Sequence, residues 1–110
     1  MQEEFNEFLE TDLTYCKESN KDLYNILFIL KELVRTTEIP DEHIIDMNSK
    51  IGMYLDEMEY NDKANFIKTY NEFKRRIEVY TIVADNLGVD VIKLNFTKLK
   101  NYSEDDSIWL

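Results

Sequence analysis

Glycine occurs twice and proline once in 110 residues, too few turn formers for a fold of short strands joined by tight turns. The single cysteine, Cys16, permits no internal disulfide and reads as a small buried hydrophobe. His43 is the single histidine, so neither a metal centre with several imidazole or thiolate ligands nor a histidine-activated nucleophile has its parts. There is no glycine-rich loop to cradle phosphate. No run approaches the ~18 apolar residues that span a membrane, and Met1-Gln2-Glu3-Glu4 is acidic where a secretory leader is basic and then apolar. Without secretion, the Asn-X-Ser/Thr patterns at Asn95 and Asn101 carry no meaning. These absences lead to the expectation of a cytoplasmic protein that is not an enzyme and holds no cofactor or metal.

What is present is a core. Apolar residues make up 44% of the chain and aromatic ones 13%, enough to fold even with a third of the residues charged. The length suits one domain, read as residues 1–102 followed by a tail over 103–110. The organising stretch runs from Asp62 to Leu87, where Phe66, Tyr70, Phe73, Ile77, Tyr80, Ala84 and Leu87 recur in steps of three and four. That is one face of an α-helix roughly 38 Å long. Asn61 or Asp62 caps its start, Gly88 ends it with Val89 as the apolar contact, and Ile67, Ile82 and Val83 widen its stripe.

Before this spine, Phe5, Phe8, Leu9, Leu13 and Cys16 predict an amphipathic helix over residues 2–18. Ser19 and Asp22 have the spacing of a capping box for a second helix of about 16 residues. Its run from Leu23 to Val34 is apolar nearly all round, which places it at the centre. Pro40 suits the first position of a third helix reaching about Tyr60, with Ile44, Met47, Ile51, Tyr54, Leu55 and Met58 buried and Gly52 a weak point or a close approach. After Gly88, residues 91–101 fit a short helix through Ile92, Phe96 and Leu99, or a strand through Ile92, Leu94 and Phe96. The helix is favoured because a lone strand lacks hydrogen-bonding partners. The expected fold is all-α, an antiparallel bundle of four helices plus this short C-terminal element and an acidic tail.

Charge is the informative imbalance. Residues 1–62 hold 16 acidic and 5 basic side chains, whereas residues 63–102 hold 4 acidic and 8 basic, within an overall net charge of -10. Such a chain repels phosphate backbones and favours basic surfaces, so a direct nucleic-acid partner is not expected. Glu3, Glu7 and Glu10 share one face of the first helix. Glu38, Asp41, Glu42 and Asp46 gather at the start of the third helix, and Asp56, Glu57 and Glu59 at its end. Carboxylates one turn apart repeat every ~5.4 Å, near the spacing of phosphates along a nucleic-acid strand, and such rows could occupy a basic groove. Lys74, Arg75 and Arg76 read as a solvated patch or as an internal partner for the acidic helices. In the tail, acidic residues followed by Ile108, Trp109 and Leu110 have the chemistry of a docking peptide.

Val83, Ala84, Leu87, Gly88 and Val89 resemble the first helix and turn of a helix-turn-helix DNA-binding motif covering residues 80–102. The resemblance would make Lys93, Lys98 and Lys100 its DNA contacts. The composition favours a different class: a small acidic module that masks a basic, nucleic-acid-binding type of surface on a larger protein. Phage anti-defence proteins and bacteriocin immunity proteins share this size, charge and AT-rich residue usage. A self-associating adaptor exposing Phe28, Ile29 or the tail is the remaining alternative, with a homodimer as its simplest form.

Overall fold

The computed structural model describes residues 1–105, with the side chains of residues 104 and 105 excepted. Five α-helices account for it: α1 (Gln2–Ser19), α2 (Lys21–Ile29), α3 (Asp41–Asn61), α4 (Lys63–Asn86) and α5 (Asp90–Asp105). A 3-10 turn, Leu30–Leu33, extends α2, and no strand occurs among the described residues. The helices form a compact globule with principal extents of 39 × 31 × 17 Å. At interaxial distances of 8–10 Å, the short dimension has room for about two helix layers. Every helix therefore keeps an outward face.

The helix ends follow from their residues. Asn20, not Ser19, caps α2: its Oδ1 accepts the Leu23 amide at 3.1 Å, while the Ser19 hydroxyl donates back to the Tyr15 carbonyl. Asp62 caps α4 by accepting the Asn65 amide at 3.1 Å. Pro40 precedes α3 instead of opening it, with an extended ψ of 148°, and its carbonyl accepts from His43 and Ile44. Gly88 ends α4 at φ 72°, the left-handed region that suits glycine. The Gly88 amide then reaches the Asp85 carbonyl and the Val89 amide the Ala84 carbonyl, the paired bonds of a Schellman cap.

α4 packs against each of the other four helices, so the expected spine is the centre. Its stripe is narrower than the sequence predicts: Thr69, Phe73, Ile77, Tyr80 and Ala84 are buried, but Ile67 and Ile82 are 50% and 59% exposed. The second helix with its 3-10 extension also packs against all four other helices, but it is not buried all round. Leu23, Ile26 and Leu27 face inward, whereas Phe28 is half exposed under Lys31, whose Nζ lies 5.2 Å from the ring centroid. The helix also stops short of 16 residues, because its last turn tightens to a three-residue period. That period stacks Leu30 and Leu33 on one side, and both are fully buried.

α5 settles residues 91–101 as helix and runs past residue 102 to Asp105, longer than the short element expected. Ile92, Phe96 and Leu99 enter the core. Phe96 there meets Phe5 of α1 at 6.0 Å and Tyr80 of α4 at 5.7 Å, and Tyr80 meets Phe8 edge-on at 6.0 Å. This aromatic chain ties the two ends of the sequence together.

Candidate functional site

The inward pull of Phe5, Leu9, Leu13 and Cys16 turns the opposite face of α1 to solvent, and with it Glu3, Glu7 and Glu10. Glu10 is held by Lys31 at 2.7 Å. Glu3 and Glu7 have no cation within ion-pair distance among the described residues. On α3, Glu42, Asp46, Asp56, Glu57 and Glu59 are also exposed. Glu38 lies in the connector before α3, and Glu38 and Asp41 both bind Lys98, at 3.0 and 2.7 Å. Those two carboxylates serve the fold. The backbones of α1 and α3 do not approach closely, and α2 and α4 each pack against both. The two rows thus lie on helices that are not backbone neighbours.

Two α5 residues, Asn95 and Lys98, fix the course of the connector. Asn95 is fully buried; its Oδ1 accepts the Ile39 amide at 2.9 Å, and its Nδ2 donates to the carbonyls of Leu33 at 3.0 Å and Thr37 at 3.3 Å. Lys98 adds a bond from Nζ to the Ile39 carbonyl at 2.9 Å. The Lys98 ammonium, by hydrogen bond and by charge, holds the Asp41 carboxyl below its ordinary 3.8. Hydrogen bonds to Asp41 and Glu38 in turn hold Lys98 above its ordinary 10.5. A depressed acid stabilises above its unfolded pKa and loses that contribution as pH falls through the folded one. NMR titration is therefore expected to place the Asp41 midpoint below 3.8. Lys98→Met moves it back up, and an unmoved midpoint in that variant would rule out Lys98 as the cause.

A second internal cluster lies between α1 and α4. Asp12 accepts from the Arg76 guanidinium and from the Tyr80 hydroxyl, with side chains of Asp12 and Arg76 only 12% and 22% exposed. Arg76 also reaches Glu72 at 3.5 Å. Burial, reinforced by the Asp12 carboxylate, pushes the Tyr80 phenol well above its ordinary value. The same two causes raise the buried Cys16 thiol, which keeps it in the unreactive protonated form. Of the basic patch, Arg76 is thus an internal partner, Arg75 pairs weakly with Glu72 at 3.6 Å, and Lys74 lies over the Tyr70 ring at 4.4 Å.

Where α2, α3 and α4 converge, a cleft of about 280 Å³ is lined by Asp22, Tyr54, Glu57, Met58, Asn61, Asp62 and Asn65. Tyr54, Asp22 and Asn65 form a hydrogen-bonded cluster in it. Tyr54 donates to Asp22 at 3.1 Å and accepts from Asn25 at 3.1 Å, and Asn65 donates to Asp22 at 2.7 Å. Burial keeps the Tyr54 phenol protonated. His43 pairs with Glu32 at 2.7 Å. Among the described residues, no group of three or more histidine, cysteine or acidic side chains is arranged to hold a metal ion, and no helix is long and apolar enough to cross a membrane.

The helix-turn-helix resemblance, over residues 80–102, covers the last turns of α4, the Gly88 turn and most of α5. The three lysines it would use face carboxylates: Lys93 meets Asp85 at 2.9 Å, Lys98 meets Glu38 and Asp41, and Lys100 meets Glu78 at 3.8 Å. Ile108, Trp109 and Leu110 lie outside the described residues. Comparison with protein families, with curated proteins and with solved structures finds no match to this chain.

Proposed function

We propose that this protein is a non-enzymatic binding module, an antiparallel helical bundle in the cytoplasm that masks a basic surface of a larger protein. Inhibitors of the phage anti-defence or immunity-protein type work in this way. The observation that carries the reading is the row of α1 carboxylates: Glu3 and Glu7 project outward with no internal cation, on a helix whose other face is locked into the core. Uncompensated charge of one sign on a rigid element speeds encounter with an oppositely charged surface and fixes its register. The exposed α3 carboxylates supply a second contact on another helix. The occupied lysines of α5 favour this reading over a helix-turn-helix regulator.

Reversing Glu3, Glu7 and Glu10 to lysine is expected to abolish partner binding while leaving helicity unchanged. Loss of the exposed Lys31 bridge to Glu10 costs no more than ~1 kcal/mol. Affinity by titration calorimetry and helicity by circular dichroism read the two effects separately. Undiminished affinity in the triple variant would refute α1 as the contact.

A further inference from the structure

The crevice between α1 and α2 holds two of the chain's own cations on aromatic rings. Lys31, in the 3-10 turn, places its Nζ 2.7 Å from Glu10 of α1 and 5.2 Å from the ring centroid of Phe28. Lys17 of α1 lies over Tyr24 of α2 at 5.8 Å. The two rings sit one turn apart on α2 and tilt against each other at 5.9 Å, and Phe28 is 51% exposed. A carboxylate and an aromatic face that share one cation form a site for positive charge, because the negative face of the ring adds its attraction to that of the carboxylate.

Lys31 holds this place weakly. Its side chain is 40% exposed and that of Glu10 58%, and an exposed bridge of this kind contributes little to stability. An ammonium is also a compact, strongly hydrated point charge. A guanidinium is planar, so it stacks flat on a ring while its fork binds both oxygens of a carboxylate. Glu7 and Glu3 continue the outward face of α1 in the next turns, with no cation within ion-pair distance among the described residues. Carboxylates in this arrangement match cations one turn apart on a facing helix, about 5–6 Å between neighbours.

We infer that the crevice between α1 and α2 reads arginine: the basic partner presents an arginine-bearing helix, one guanidinium of which stacks on Phe28 and takes Glu10 from Lys31. The following arginines reach Glu7 and Glu3, and Lys31 turns out to water. This rests on the reading of α1 as the partner contact and adds the chemistry of the partner's cations, which net charge alone does not set.

Titration calorimetry of the full chain at low salt tests this with two alanine-based helical peptides, one carrying arginine at every fourth position and the other lysine at the same positions. The two carry equal charge, so a difference between them reports the ring and the fork. The arginine peptide is expected to bind about tenfold tighter. Phe28→Leu abolishes that preference, and reversal of Glu3, Glu7 and Glu10 to lysine weakens both peptides. In the unmodified protein an intermolecular nuclear Overhauser contact joins the Phe28 ring to the arginine side chains, which reads the same contact should Phe28→Leu reduce helicity. Equal affinity for the two peptides, an arginine preference that survives Phe28→Leu, or absence of the Overhauser contact overturns the inference. If the peptides bind alike and the reversal weakens both, the acidic α1 contact stands and the arginine reading alone falls; if the reversal weakens neither, both fall.

Discussion

Asn95→Leu is expected to lower stability by about 1–3 kcal/mol, a large share of the stability of an ordinary domain. The side chain of Asn95 satisfies three backbone groups of the connector, the Ile39 amide and the carbonyls of Leu33 and Thr37. Leucine has a similar volume but leaves the buried Ile39 amide without its acceptor, at a cost of about 1–3 kcal/mol, while the Leu33 carbonyl keeps the Arg35 amide and the Thr37 carbonyl belongs to an exposed residue. Chemical denaturation, with the slope against denaturant unchanged, measures the loss. Asn95→Asp separates polarity from hydrogen-bond direction. Aspartate still accepts from Ile39 but donates to neither carbonyl when ionised, and to one of them when protonated. Its folded pKa is thereby raised, so the stability it supports is present at low pH and lost as pH rises through that folded value. A variant equal to the parent at neutral pH would show that the carbonyls of the connector find other donors.

Asp12→Ala carries the second large effect. It strips the buried Arg76 guanidinium of its main counter-charge and the Tyr80 hydroxyl of its acceptor, leaving Glu72 at 3.5 Å as the remaining carboxylate. Removing one partner of a buried pair costs about 3–5 kcal/mol, mostly the desolvation of the charge left behind. The partial exposure of Arg76 places this case at the low end, near ~3 kcal/mol. Replacing both partners, with Asp12→Leu and Arg76→Met, is expected to recover most of that loss, because no unpaired charge remains. Thermal unfolding of Asp12→Leu, Arg76→Met and their double variant forms the cycle that isolates the coupling. Additive losses in the double variant would mean that Asp12 and Arg76 stabilise the fold independently.

These two clusters mark where local sequence patterns stop being informative. The α4 register, the Asp62 cap and the Gly88 terminus are legible because each depends on residues within one or two turns. Asn95 and Asp12 act on groups more than fifty residues away, and periodicity encodes no such pairing. A trace is present in the register: Asp12 falls between Leu9, Leu13 and Cys16 on the buried side of α1, and Asn95 falls between Ile92, Phe96 and Leu99 on that of α5. A polar residue at a core position is an indication that a distant polar partner exists.

The opposite case is that of Ile67 and Ile82, which sit close to an apolar stripe and yet face water. Nothing in one helix states how wide a face its neighbours cover. The acidic residues read correctly as exposed on α1 and much of α3, but Glu38 and Asp41 are occupied by Lys98, a residue on an element whose very type was ambiguous in sequence. Conversely, the separation of the α1 and α3 rows depends on helix order in space, which charge counting does not contain.

The most direct test of the central claim is affinity capture from lysate of the source cell at low and at high salt, with the bound species identified by mass spectrometry. Immobilised parent protein is set beside the Glu3, Glu7 and Glu10 reversal. The account predicts one basic protein retained at low salt, weakened at high salt and absent from the reversed variant. Equal retention by both proteins, or capture of DNA fragments alone, would contradict it.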